Sequence, residues 1–314
     1  MSLQQDKYAG PRMEEEETSG IFKRMGLVWA ILSAASLTIE MELLTKLTLD
    51  FPLSQVLFFR QASLLPFVLF LPWTEGEDYD WYDLFLNMLF GFGDTIGKAA
   101  SVAALTFISP GNVSAIAFNK SIPVSIIACI FLGEFFDVVD GALAVANCIG
   151  LILIAKGVSE SSEDFSYITG VMLSLTAMAA FILLYFVARV LANRKKAEPC
   201  LLSFMAGWIG VVFSSIFLTV TSSWHFPETL NDGLLILSSA CATMFHFYAL
   251  TRALKTENML FVAAGLSTTI PLTYCYDGLF NGIAFAWETI LGACLTTGST
   301  LLLYAKTYCR EISA

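Results

Sequence analysis

The chain is 314 residues long, 56% hydrophobic and 14% charged, with a mean hydropathy of +0.70, whereas soluble domains carry about 25% charged residues. So few polar side chains cannot cover a water-facing surface, which excludes an ordinary soluble domain and makes lipid the solvent for much of the exterior. The formal charge of -10 lies largely in two runs, Glu14 to Glu17 and Glu75 to Asp83, which read as a solvated tail and loop and exclude nucleic acid as a partner.

Residues 1–24 are polar and acidic and predict a disordered cytoplasmic tail. No cleavable signal precedes the first apolar run, so the first helix serves as its own insertion signal. A bilayer core of ~30 Å takes ~20 apolar residues per helix. Ten such runs follow: 26–47, 53–72, 84–107, 110–133, 138–157, 166–192, 199–221, 233–253, 258–280 and 287–308. Residues 309–314 form a short cytoplasmic C-terminus. Some separators are minimal (Ser109-Pro110, Asp137, Thr256-Glu257) and predict tight antiparallel hairpins. With the N-terminus in the cytoplasm, twelve of the seventeen lysines and arginines fall on that side, among them Lys23, Arg24, Arg194 to Lys196, Lys255 and Arg310. Cationic loops resist translocation, so both termini are expected in the cytoplasm. Trp73, Trp81, Trp224 and Trp287 fall near helix ends, where an interfacial aromatic belt sits.

The two halves repeat. Gly26 matches Gly170, Ala104-Leu105-Thr106 matches Ala249-Leu250-Thr251, Asn112 matches Asn258, Ile122-Pro123 matches Ile270-Pro271, and Gly150 matches Gly298. The offset drifts from 144 to 148 and never runs backward. Residues 25–157 and 165–308 then form two five-helix repeats, and an odd helix number places the second upside down. The expected fold class is an all-α polytopic membrane protein with ten transmembrane helices as two inverted five-helix repeats. That architecture suits alternating access, because pseudo-symmetric halves can exchange conformations around one central site.

The first four helices carry Glu40, Glu42, Arg60, Asp94, Lys98 and Lys120, which sum to zero. Each lipid-facing charge costs roughly 2.5–3.5 kcal/mol on insertion scales, so these groups must pair or line water. From the helical rise, Glu40 lies ~21 Å from the start of its helix and Arg60 ~10 Å from the start of the next, which brings them to one depth as an ion pair. Asp94 and Lys98 have the i, i+4 spacing of an intrahelical pair. Lys120 lies near the midplane, three residues before Pro123, with no carboxylate on its own helix until Glu134. Proline loosens the turn before it, and disrupted midplane helices are where transporter sites form. Lys120, with Lys98 and Arg60 in support, is the candidate anchor for an anionic group, set against a structural pairing with Asp94. Glu40 or Asp94 is the candidate coupling carboxylate. From the second half, His246, Tyr248, Tyr274 and Asp277 are weaker candidates, and His246 reads equally as a packing residue.

Seven scattered cysteines, without C-x-x-C or ligand-like spacing, read as buried small hydrophobes, and no cofactor or metal site is expected. Gly93, Gly97 and Ser101 form a small-residue ridge, as do Ala142, Ala146 and Gly150; close helix packing is the first reading, with a cavity wall or homodimer face as the alternative. N-x-[ST] matches at Asn112 and Asn119 lie in or beside a helix and are not glycosylation sites. Two histidines and the absence of G-x-S-x-G or H-E-x-x-H argue against an enzyme.

Phe58-Phe59-Arg60, the proline of the fourth helix, Gly133-Glu134 closing it, Gly141 opening the fifth and Gly150 within it occur in an order that resembles the drug/metabolite transporter superfamily. The likeness is to its EamA-type, ten-helix members and to solute carrier family 35, with the G subgroup nearest. The chain differs in having Lys120 ahead of Pro123 and Asn281-Gly282 where a second Gly-Glu would stand. The resemblance implies a secondary active transporter in a lipid bilayer, moving a small polar, by the charge pattern anionic, solute. Amino acids and nucleotide sugars are alternative cargoes, and a channel or non-transporting scaffold is the alternative from another class. Plasma membrane and Golgi or endoplasmic reticulum are the alternative locations.

Overall fold

The computed structural model describes residues 25–70, 80–120, 137–159, 165–194, 199–221, 224–256 and 265–313, with single positions at 123, 126, 127, 130 and 262. Among the described residues there are ten α-helices and no strand. They are α1 (Met25–Asp50), α2 (Leu53–Ala62), α3 (Trp81–Leu105), α4 (Pro110–Ala117), α5 (Val138–Ser159), α6 (Phe165–Asn193), α7 (Pro199–Thr221), α8 (Leu230–Thr256), α9 (Thr269–Phe280) and α10 (Trp287–Ser313). Each falls within or close to one of the ten apolar runs. Four stretches are long and apolar enough by themselves to cross a bilayer: Gly26–Asp50, Ser166–Ala188, Cys200–Thr221 and Leu230–Ala253. The acidic tail, Trp73 and Gly133-Glu134 lie outside the described residues.

Three of the ten runs are shorter as regular helix than expected, and proline accounts for each. A proline inside a helix lacks the N–H that bonds four residues back, and its ring crowds that carbonyl. Pro66 removes the bond to Ala62, and α2 ends at Ala62, giving way to a 3-10 segment over Leu65–Phe70. Pro123 removes the bond to Asn119; α4 stops at Ala117, and residues 118–120 leave the helix before it is found again at position 123. Pro271 removes the bond to Ser267, and Ser267 and Thr268 form a turn ahead of α9. At the other extreme α10 continues to Ser313, so residues 309–313 are helical.

The most extensive helix contacts are α1 with α8, α3 with α6, and α5 with α10; α2 packs on α7 and α4 on α9. Small residues permit the closest of these. A Cβ on Gly97 of α3 would lie 2.6 Å from the Phe181 ring of α6, so the ridge of Gly93, Gly97 and Ser101 is a packing seam. On α5 the seam is displaced from the expected one. Gly150 meets Gly292 and Thr296 of α10, Asn147 donates to Ser299, and Ile154 completes the face, while Ala142 is exposed. The helix rotation puts Asn147, not Ala146, on the buried side. Ion pairs join the helix ends: Arg194, after α6, to Asp83 of α3 at 2.6 Å, and Lys306 of α10 to Asp137, just ahead of α5, and Asp140 in its first turn at 2.6 Å each. Lys306 holds the Asp137 carboxyl below the usual carboxylate range.

Polarity is distributed for lipid. Ile31, Phe92, Ile152, Phe213, Leu237 and Leu302 face outward, while Glu40, Arg60, Asp94, Lys98, Lys120 and Asp277 are buried. This is a multi-pass integral membrane protein, since water would reverse that placement. Trp81, Trp224 and Trp287 are exposed at helix ends. The cysteines depart from expectation: Cys148, Cys241, Cys275 and Cys294 are exposed and free on helix surfaces, where a polarizable thiol is at home against acyl chains. Asn112 and Asn119 are buried and hydrogen-bonded to Tyr274 and Asn147.

The α5–α10 seam leaves no room for a side chain. In Gly150→Val, a Cβ would sit 2.8 Å from the Gly292 carbonyl oxygen. The expected result is a loss of about 1–3 kcal/mol from overpacking, seen as a lower unfolding temperature of the purified protein in detergent, with Gly298→Ala, where nothing lies within 4 Å, as the neutral control.

Candidate functional site

Five of the predicted residues meet in the middle of the bundle. α1 supplies Glu40, α2 Arg60 and Gln61, α3 Asp94 and Lys98, and the broken segment after α4 supplies Lys120. Arg60 Nε donates to Glu40 Oε1 at 2.9 Å, the ion pair expected from matched depth. Its Nη1 donates to Asp94 Oδ2 at 2.8 Å and to Gln61 Oε1 at 2.9 Å. Gln61 Nε2 donates to the same Asp94 oxygen at 3.3 Å, and Lys98 Nζ to Glu40 Oε1 at 3.3 Å.

The pairing is therefore crosswise. Asp94 and Lys98 do not close on each other along α3, as their spacing suggests, because each finds a stronger partner on a neighbouring helix. The forked guanidinium bridges two carboxylates at once through separate nitrogens, Nε and Nη1. Arg60 and Lys98 are thus neutralised within the network rather than free to take an anion. Among the described residues Glu40 Oε2 and Arg60 Nη2 are buried without a partner.

Lys120 stands apart from these pairs. It is buried, and among the described residues it makes no ion pair, so the structural pairing with Asp94 is not formed. Its ammonium is held by π-faces: Nζ lies 4.1 Å from the Tyr185 ring centroid and 5.1 Å from those of Phe118 and Phe181. Phe118 and Phe181 stack at 5.5 Å and also flank Lys98 at 5.7 and 5.9 Å. A desolvated cation–π contact is worth up to about 2 kcal/mol, far below a buried carboxylate partner, so the amine is stabilised but not satisfied. Phe181 and Tyr185, one turn apart on α6, are neighbours of Lys120 that the sequence did not single out; their i, i+4 spacing is the signal that could have found them.

His246 belongs to the wall. Its Nδ1 lies 2.9 Å from Ser33 Oγ and 3.1 Å from the Ser33 carbonyl oxygen, which fixes α8 to α1. Tyr248 packs edge-on against Trp29 and under Arg252, away from the centre. Tyr274 donates to Asn112 at 2.9 Å and sits with Asp277 in a separate group between α9 and α4. Among the described residues no three histidine, cysteine or acidic side chains converge as a metal site.

Removing one member of a buried pair leaves the other uncompensated, at about 3–5 kcal/mol. Arg60→Met is expected to lower the unfolding temperature sharply. Adding Asp94→Asn, which leaves Glu40 and Lys98 paired, recovers most of that loss. Additive effects of the two changes in thermal unfolding would contradict the network.

Three comparisons bear on this geometry. Residues 24–156 match the EamA-like transporter family. Solute carrier family 35 member G1 of Homo sapiens is 24% identical over 203 residues, 62% of this chain, and the chain spans only 55% of that relative's length. A protein of known crystal structure superposes with a TM-score of 0.64 at 13% identity, covering 94% of this chain and 100% of that one, which shows the shared fold. The matched family is described as one of transporters, and its match covers α1 to α5 with Glu40, Arg60, Asp94, Lys98 and Lys120. Over residues 24–156 the chain is similar to the EamA-like transporter family.

Proposed function

We propose that this protein is a secondary carrier that moves a small anionic solute by alternating access, with Lys120 as the anchor for the anionic group. The charge balance at the centre carries the reading. Two carboxylates, Glu40 and Asp94, neutralise Arg60 and Lys98, and Lys120 remains as one positive charge with only aromatic partners among the described residues. A buried cation of this kind is costly in a structural role and useful in a binding one.

The geometry around it supports a moving site. Residues 118–120 and 267–268 interrupt two helices that pack on each other, each four residues ahead of a proline. Several of the main helix pairings map onto one another when each helix is exchanged with the one five places on: α1 with α8 becomes α6 with α3, while α2 with α7, α4 with α9 and α5 with α10 map onto themselves; the extensive packing of α3 on α7 has only a slight counterpart in α2 on α8. That correspondence supports two inverted units over 25–157 and 165–308, and a pseudo-two-fold axis passing between the broken helices. The ion pairs of Arg194 with Asp83 and of Lys306 with Asp137 each join two helix ends, which supports the cytoplasmic placement of both termini. The excess positive charge favours a cargo bearing a carboxylate or phosphate, a property shared by organic anions, amino acids and nucleotide sugars. A non-transporting scaffold would have no use for the unpaired amine.

A thermal-shift screen of the purified protein against organic anions, nucleotide sugars, amino acids and organic cations is expected to give its hits among the anionic compounds. For a hit, uptake into reconstituted vesicles is expected to saturate and to be stimulated by the same solute on the opposite side, which separates a carrier from a channel. Lys120→Gln is expected to reduce that flux by more than tenfold without lowering the unfolding temperature. Unchanged flux in Lys120→Gln removes the anchor, and linear, unstimulated flux removes the carrier.

A further inference from the structure

A second buried acidic group, separate from the central network, lies where α1, α4 and α9 meet. Glu42 is two residues beyond Glu40, about 200° around α1, so the two carboxylates leave the helix on nearly opposite faces. Glu42 is 3% exposed and Asp277 of α9 is 0% exposed. One amide nitrogen bridges them: Asn281 Nδ2 donates to Glu42 Oε2 at 3.0 Å and to Asp277 Oδ1 at 2.9 Å. The shared Asn281 nitrogen holds the two carboxyl groups side by side. Asp277 Oδ2 accepts the Gly111 N–H at 2.7 Å, at the start of α4. Glu42 Oε1 is buried with no donor among the described residues.

No ion pair reaches either carboxylate among the described residues. Lys46, one turn along α1 and exposed, and Tyr274 on α9 are the titratable groups that act on the pair. α4 presents only the Gly111 amide and Asn112, which accepts from Tyr274; α10 carries Glu288 in its first turn. Two carboxylates this close, without a cation and out of water, cannot both ionise. A proton on one of them supplies the donor that the orphaned oxygen lacks and turns repulsion into a strong O–H···O bond.

We propose that Glu42 and Asp277 form a proton-binding site, sharing one proton that holds α1 against α9 and the start of α4. The register supports a clasp. Thr38 and Glu42 on α1 lie along Thr273 and Asp277 on α9, with Thr273 Oγ1 3.5 Å from Thr38 Oγ1 and accepting from Ser114 of α4 at 3.2 Å. Loss of the proton leaves two negative charges across this seam and drives α1 away from α9. Proton binding stands on the geometry alone; its use in coupling rests on the carrier reading.

Infrared difference spectroscopy of the purified protein in nanodiscs, titrated with pH and with no solute present, reads the proton directly. A protonated-carboxyl C=O band is expected at neutral pH, vanishing on alkalinisation, and lost in both Glu42→Gln and Asp277→Asn, because either change frees the remaining carboxyl to ionise. The glutamine amide can donate to Asp277, so Glu42→Gln is expected to unfold at the wild-type temperature at neutral pH, which verifies that a lost band is not lost structure. Absence of the band overturns the proposal. So does its loss in one variant alone, which marks a lone acid, or its displacement by sodium at fixed pH, which marks a cation site. Vesicle flux plays no part in this readout, so its outcome is independent of the carrier test.

Discussion

Charge buried away from water must be matched within the protein, and the centre of this molecule is arranged around that requirement. Glu40, Arg60, Asp94 and Lys98 come from three different helices and balance to zero through contacts of 2.8–3.3 Å. Each group is costly alone in a low-dielectric interior and tolerable only with its partners in place. The network therefore fixes the relative rotation of α1, α2 and α3, and through Gln61 it reaches toward α7. Lys120 sits beside this neutral cluster with no ion-pair partner among the described residues, and that surplus gives the centre its proposed chemistry.

Proline supplies the second element of the design. The chain interrupts α2, α4 and the run leading into α9 four residues before Pro66, Pro123 and Pro271. The latter two interruptions lie in helices that pack on one another. Backbone carbonyls and amides freed in this way are tolerated in a membrane only where protein or a polar cavity surrounds them. The break after α4 is also what lets the Lys120 ammonium reach the rings of Phe118, Phe181 and Tyr185 instead of running along a helix surface toward lipid.

α1 links the two buried acidic groups. Glu40 points to the central network and Glu42 to the seam with α9, so a rotation or tilt of α1 changes both environments together. On the carrier reading, a proton at the Glu42–Asp277 clasp and an anion at Lys120 are then coupled through one rigid helix rather than through a chain of side chains. The close α3–α6 and α5–α10 seams, with glycine at the contacts, are suited to staying packed while that helix moves.

Hydropathy and the spacing of polar breaks determined the class, the number of helices and the depth of the charged residues, because each depends only on local composition and the fixed rise of a helix. The Glu40–Arg60 pair was legible for the same reason: adjacent helices joined by Phe51-Pro52 bring equal depths together. Rotation and partner choice were not legible. Asp94 pairs with Arg60 instead of Lys98, Asn147 instead of Ala146 faces α10, Cys148, Cys241, Cys275 and Cys294 are exposed, and Phe181 and Tyr185 close over Lys120 from α6. The Glu42–Asp277 contact spans more than two hundred residues of sequence. Such contacts depend on which faces of distant helices meet, and only the packed structure decides that.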